Sequence, residues 1–155
     1  MMNVLFVCLG NICRSPMAEA LFRDIVEKEH LSDKITVDSA ATSSWHIGSP
    51  PHKGTLAILK KYNISAKGLV GRQLAKGDFE KFDYIVGMDE SNITNIFEIT
   101  GKPKHPKILR LLDLTEHNKD VPDPYYTGDF EETYRLVSEG CQALLEKICK
   151  EHNLI

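Results

Sequence analysis

The chain has 155 residues, 22 acidic side chains against 19 basic ones, and a formal net charge of −3. Apolar residues make up 42% and charged residues 26%, which excludes a disordered chain and gives no overall attraction to nucleic acid or to a membrane. The longest apolar run, Val4 to Leu9, is too short to span a bilayer and lacks the flanks of a secretory signal. A single domain covering residues 1–155, in the reducing cytoplasm, is therefore expected, with Cys8, Cys13, Cys141 and Cys149 as free thiols.

Val4 to Val7 is rich in β-branched and aromatic residues, with Gly10 close behind, and reads as a buried parallel strand. From Pro16 to His30 the pattern turns helical: Met17, Leu21 and Ile25 recur every four residues, with Glu19, Arg23, Glu27 and Lys28 off that line. Ser15 followed by Pro16 predicts an N-cap and first-turn pair. Ile35 to Val37 reads as a second strand and Thr55 to Tyr62 as a helix. Tyr84 to Met88 reads as a third strand, with Asp89 opening a helix behind it. Ile108 to Leu112 predicts a fourth strand. Asp129 to Glu151 predicts a long last helix, and Cys141 and Cys149 lie on its apolar stripe, which marks them as core residues. Residues 41–51, 101–107 and 116–128 read as irregular loops, where function concentrates. Strands alternating with helices predict an α/β fold, with a mostly parallel sheet covered on both faces.

In such a sheet, ligands bind beyond the carboxyl ends of the strands. The first strand delivers Cys8 to that edge, and Leu9, Gly10, Asn11, Ile12, Cys13, Arg14 and Ser15 lead into a helix. A tight strand-to-helix loop points backbone N–H groups into one concavity, and the helix N-terminus adds partial positive charge. Arg14 offers planar, bidentate donors suited to a phosphate-like dianion. A free cysteine, with a pKa of about 8.5, is mostly thiol at neutral pH, and the same field favours its nucleophilic thiolate. The Ser15 hydroxyl is placed to donate to that sulfur. A buried structural cysteine on a loop that contains arginine also fits these residues. A nucleotide-binding Walker loop does not, because no Gly-Lys-Ser/Thr follows. Nor does zinc, because Cys8 and Cys13 have no second ligand pair.

The segment Val7-Cys8-Leu9-Gly10-Asn11-Ile12-Cys13-Arg14-Ser15-Pro16 resembles the signature of the low-molecular-weight protein tyrosine phosphatases. The resemblance continues through Asp38-Ser39-Ala40, Trp45, Gly48, Pro50-Pro51, Asp83-Tyr84-Ile85, Met88 to Asn92 and Asp123-Pro124-Tyr125-Tyr126. It implies a four-stranded, doubly wound parallel sheet with the phosphate loop after the first strand. It implies that Cys8 attacks phosphorus to form a phosphocysteine that water then hydrolyses. Arg14 and the amides of the loop, with Leu9, Gly10, Asn11, Ile12, Cys13 and Ser15 lining it, bind the phosphoryl oxygens. Asn11 and Ser39 belong to a network that shapes the loop. Asp123 is the general acid and base, with Asp120 and Asp113 as its nearest substitutes; without the resemblance, Asp-Pro is an ordinary turn-starter. Trp45 and Tyr125 wall the cleft. Phosphotyrosine proteins or peptides are the implied partners, with inorganic phosphate and oxyanions as inhibitors and no cofactor or metal. Two regulatory readings attach to the resemblance: phosphorylation of Tyr125 and Tyr126, and a reversible Cys8–Cys13 disulfide.

Two departures from the family pattern stand out. His52-Lys53 follows the paired prolines where Asp is common, and Leu69 stands before Arg72-Gln73 where many members carry His. His46 and His52 read as solvated loop residues. The same fold also supports arsenate reduction, which needs further cysteines that are missing between Cys13 and Cys141. It supports phosphoarginine hydrolysis as well, for which Ile12 is less suited than threonine. A non-catalytic phosphate binder would not need Cys8, Arg14 and Asp123 together. The basic run Lys102, Lys104, His105 and Lys107 reads as a solvated loop, because no aromatic residue interleaves it for nucleic-acid stacking.

Overall fold

The computed structural model describes residues 1–102 and 104–154. Its first strand, β1 (Met2–Cys8), carries Val4, Phe6 and Cys8 on one face and Leu5 and Val7 on the other, as a two-residue side-chain period requires. Both faces are covered, which is why the run is apolar throughout. With β2 (Ile35–Ala41), β3 (Tyr84–Gly87) and β4 (Ile108–Arg110) it forms an all-parallel sheet in the order β2-β1-β3-β4.

Helices α1 (Arg14–Lys28), α2 (Lys53–Lys61) and α6 (Phe130–His152) pack on the Val4–Phe6 face. Helices α3 (Asp78–Lys81) and α4 (Glu90–Thr100) cover the Leu5–Val7 face, through Phe79, Ile93, Ile96 and Phe97. Phe6 meets Phe22 of α1 edge to face at 5.5 Å. Each fully buried side chain of this kind contributes about 1.5–3 kcal/mol. Cys141 and Cys149 lie in this core, on α6.

The expected four-stranded, doubly wound sheet is present, with several local differences. Helix α1 begins at Arg14, with Cys13 at the N-cap position, so Ser15 lies inside the helix instead of capping it; its hydroxyl is drawn to Cys8 and Asn11. The fourth strand stops at Arg110, because only Ile108, Leu109 and Arg110 find partners on β3. Leu111–Leu114 instead wind into one 3-10 turn whose Leu111 and Leu112 are buried. Within 116–128, Pro124–Thr127 form a short helix, α5, with Asp123 as N-cap and Pro124 in its first turn.

Strand β1 is followed in the sheet by β2 on one side, while β3 is followed by β4 on the other. The order therefore reverses between β1 and β3, and the crevice at their carboxyl ends is the natural ligand position of an open α/β sheet. Cys8 ends β1 there, and Asp89 follows β3.

Candidate active site

In the loop from Cys8 to Arg14, four carbonyl groups are taken by donors outside it. Thr42 N donates to Cys8 O (3.0 Å), Ser43 N to Leu9 O (3.0 Å), His52 N to Ile12 O (2.7 Å) and Thr55 Oγ1 to Cys13 O (3.1 Å). With the carbonyls turned outward, the amides of Gly10, Ile12 and Cys13 have, among the described residues, no protein acceptor. They and the first turn of α1 form the concave donor set that an anion needs. The turn depends on Asn11, whose φ of 57° lies in the left-handed region that asparagine tolerates better than most residues.

Asn11 also orders the protons around the sulfur. Its Oδ1 accepts from Arg72 N (3.0 Å), which fixes the amide orientation and aims Nδ2 at Ser15 Oγ (2.7 Å) and Ser39 Oγ (2.9 Å). Ser39 donates its own proton to Glu19 Oε1 (2.6 Å), and Glu19 is also held by Arg23. Ser15 accepts from Asn11 and lies 3.0 Å from Cys8 Sγ; toward the thiolate form, which has no proton to give, its hydroxyl is the donor. Asn11 N donates to the same sulfur at 3.3 Å. The sulfur thus receives two donors whose directions the surrounding network imposes. Burial raises the Glu19 carboxyl above its ordinary range, against the lowering contacts of Ser39 and Arg23. Leu69, at the departure from the family pattern, is buried in the core, and Arg23 supplies the cation beside Glu19.

Arg14 is 2% exposed. Its Nη1 donates to Asp89 Oδ2 (2.6 Å) and to Val121 O (3.0 Å). Among the described residues Nε has no partner, and Nη2 makes only a long contact of 3.4 Å to Asp123 Oδ2. The Nε–Nη2 edge is therefore the free fork, the geometry for two oxygens of a tetrahedral anion. Burial opposes the Arg14 charge, but the Cys8 sulfur, Asp89 and Asp123 outweigh it, so the guanidinium is held charged. Asp89 is itself rigid: Oδ1 caps α4 through Asn92 N (2.7 Å) while Oδ2 holds Arg14.

A pocket of about 180 Å³ opens above this floor. Cys8, Leu9, Gly10, Ile12, Cys13 and Arg14 form its base, Asp123 stands at its side, and Trp45 and Tyr125 stand at its mouth with His46 and Tyr126. Asn11 and Ser15 do not line it; they lie behind the sulfur, buried. Asp123 Oδ1 accepts from Tyr125 N (3.0 Å), which leaves Oδ2 toward Arg14 and the pocket. Asp113 and Asp120 do not line the pocket; both are bound to Arg110.

His52 is more than a solvated loop residue. Its Nδ1 accepts from Gly54 N (2.9 Å) and caps α2, and its ring stacks on Phe130 and meets the Tyr125 ring edge-on at 6.0 Å. His46 lines the pocket, and its carbonyl lies so close to Gly71 that a Cβ there would approach to 2.3 Å. Only glycine lets these two rim loops meet. Lys107 is likewise not merely solvated, since its ammonium donates to Phe79 O (2.8 Å) and Phe82 O (3.1 Å). Pro103, in the same basic run, lies outside the described residues.

All four cysteines are free thiols. Burial, with Asp123 and Cys8 nearby, pushes the Cys13 thiol up to about 12. Among the described residues, no three His, Cys, Asp or Glu side chains are grouped to hold a metal ion, and no helix is long and apolar enough to cross a membrane. Asp89 and Glu19 also belong to the site, through Arg14 and through Ser39, although neither stands out in the sequence as a site residue. Asp89 carried a usable signal, because it follows a parallel strand at the same sheet edge as Cys8.

The chain is 52% identical to the low molecular weight protein-tyrosine-phosphatase YfkJ of Bacillus subtilis, over 99% of this chain and 100% of that one. It is 46% identical to the low molecular weight protein-tyrosine-phosphatase PtpA of Staphylococcus aureus, over 99% and 98%. The crystal structure of YfkJ superposes with a TM-score of 0.95, covering 98% of this chain and 97% of that one. That of a low molecular weight protein tyrosine phosphatase from Streptococcus pyogenes does so with 0.83 at 46% identity, over 95% and 93%. Residues 3–154 match the family described as low molecular weight phosphotyrosine protein phosphatase, and the chain belongs to that family.

Proposed function

We propose that the chain hydrolyses phosphotyrosine in proteins or peptides, carrying the phosphoryl group on Cys8. The observation that supports this most is the convergence at one sulfur: two imposed donors, the free Nε–Nη2 fork of Arg14, and a pocket mouth walled by Trp45 and Tyr125. The phosphate dianion docks on the loop amides and the Arg14 fork, and its aryl ring lies between the two aromatic walls.

The Cys8 thiolate then bonds to phosphorus as the P–O(aryl) bond breaks. The electron pair stays on the phenolic oxygen, which takes the Asp123 proton. In the second step water bonds to phosphorus and gives a proton to the Asp123 carboxylate. The S–P bond breaks, and its pair returns to Cys8, where the Ser15 hydroxyl stabilises the departing sulfur. The amides and Arg14 hold the equatorial oxygens throughout. Ile12 presents an apolar side chain to the pocket, which suits an aromatic ring better than a guanidinium. Inorganic phosphate and vanadate-like oxyanions are inhibitors on the same floor. A reducing cytoplasm suits a chain whose nucleophile is a free thiol.

Phosphate release from a phosphotyrosine peptide in chelator-treated buffer, wild type beside Cys8→Ser, tests the proposal. Release by the wild type and none by the variant is expected. Release that survives the substitution, or none from folded wild type, contradicts it.

A further inference from the structure

Arg110 ends β4 with its side chain 13% exposed. Its Nε and Nη2 donate to Asp113 Oδ1 (3.0 and 2.7 Å), and its Nη1 donates to Asp120 Oδ1 (2.9 Å) and lies 3.5 Å from Glu90 Oε1. Nη2 also reaches Asn118 Oδ1 at 3.4 Å. Asp120 Oδ1 accepts in addition from Glu90 N (3.0 Å), an otherwise free amide of the first turn of α4. One guanidinium thus ties the end of β4 and the start of α4 to the loop that carries Asp123.

Little slack separates Asp120 from Asp123. Val121 is fixed on both sides, its N–H donating to Met88 O (2.9 Å) and its carbonyl accepting from Arg14 Nη1 (3.0 Å). Pro122 and Pro124 lock their own φ angles. Behind it Asp123 is tied to α5, by Tyr125 N on Oδ1 and by Tyr126 N and Thr127 N on its carbonyl, and its one contact toward the cleft is the 3.4 Å approach to Arg14; where this whole N-cap sits over the cleft is therefore set by the chain that leads into it. Without Arg110, three carboxylates, Glu90, Asp113 and Asp120, are left facing one another, and their repulsion drives Asp120 outward.

We propose that Arg110, acting through Asp120, is a positioning residue for the Asp123 carboxyl, needed for protonation of the leaving group and not for phosphate binding. The proposal rests on the reading of Asp123 as proton donor. A basic phenol, like that of tyrosine with its pKa of about 10, needs the proton as it leaves. A strongly acidic phenol such as dinitrophenol leaves without it. The ratio of kcat/KM values for phenyl phosphate and dinitrophenyl phosphate therefore reports proton donation, because kcat/KM covers the steps through aryl release.

The experiment measures both kcat/KM values and vanadate inhibition for wild type, Arg110→Ala, Arg110→Lys, Asp120→Ala and Asp123→Asn. Arg110→Ala and Asp120→Ala are expected to lose about 10-fold on phenyl phosphate and less than about 2-fold on dinitrophenyl phosphate and in vanadate affinity. Arg110→Lys, which keeps the charge without the fork, recovers part of the loss. Equal losses on both esters, or a parallel loss of vanadate affinity, would reduce Arg110 to a structural role and overturn the proposal. If Asp123→Asn discriminates between the esters while Arg110→Ala and Asp120→Ala do not, the proposal alone fails. If Asp123→Asn does not discriminate either, the proton-donor reading fails and takes the proposal with it. Should Arg110→Ala not fold, Asp120→Ala, at a half-exposed side chain, removes the same tether from its other end.

Discussion

At the floor of the cleft Cys8 and Arg14 are each 2% exposed, and Asn11 spends both Nδ2 hydrogens and its Oδ1 on partners inside the chain. At the rim Trp45 is 68% exposed and Tyr125 57%. The floor is held by hydrogen bonds whose directions are dictated several residues away, so its donors are in place before substrate arrives. The Tyr125 side of the rim meets His52 and Tyr126 through ring contacts, which leave that wall room to adjust. Charge developing on a phosphoryl group needs fixed dipoles. A ring on a varied peptide needs only apolar surface. Substitutions on the floor should therefore cost turnover, and substitutions on the rim should cost binding.

Arg14→Lys gives the largest expected effect. It removes the free fork and the two-way hold on Asp89 and Val121 while keeping the charge. Turnover on a phosphotyrosine peptide should fall by about 10³-fold, judged by the cost of losing a transition-state donor. A loss confined to KM would show that the floor is no more preorganised than the rim. Asp123→Ala should lower turnover by about 10²–10³-fold while vanadate inhibition persists. Near-normal turnover would remove Asp123 from the acid's role.

Trp45→Ala should raise KM for a phosphotyrosine peptide by about 3–10-fold with kcat nearly unchanged, since a ring lying on an exposed wall is held alike in ground and transition states. A fall in kcat alone would mean that this wall belongs functionally to the floor.

The smallest effect concerns Glu19, at the far end of the floor's network. Burial raises its carboxyl, so the folded chain holds that proton more tightly than the unfolded chain does. This group's contribution to stability is complete below the ordinary glutamate pKa of about 4.3 and is lost as pH rises through the folded value. Urea melts taken upward from about pH 4 should show that decline in the wild type and a flatter profile in Glu19→Gln. Identical profiles would contradict it.

Cys8, Arg14 and Asp123 were legible because a strand, an anion loop and a helix start sit next to one another in the chain, and because the resemblance extends to the Asp-Pro-Tyr segment. The sheet was legible from Val4 to Val7 and the strands alternating with helices. The partners of Arg14 were not, because Asp89 and Val121 lie 75 and 107 residues away and meet it only through the strand order. Glu19 lies off the apolar stripe of α1 and reads as solvated, yet it is 6% exposed. The loop at Lys67 closes over that side of the helix, with Arg23 donating to its carbonyl. Ser15 reads as a helix cap by type and position, but the pull of the sulfur and Asn11 outweighs that local preference.

Acid quenching during turnover of a phosphotyrosine peptide, followed by peptide mass mapping, reads directly whether Cys8 carries the phosphoryl group. A single phosphate is expected, on the peptide containing Cys8, and none in Cys8→Ser. Turnover with no covalent phosphate, or with phosphate on any other residue, would contradict it.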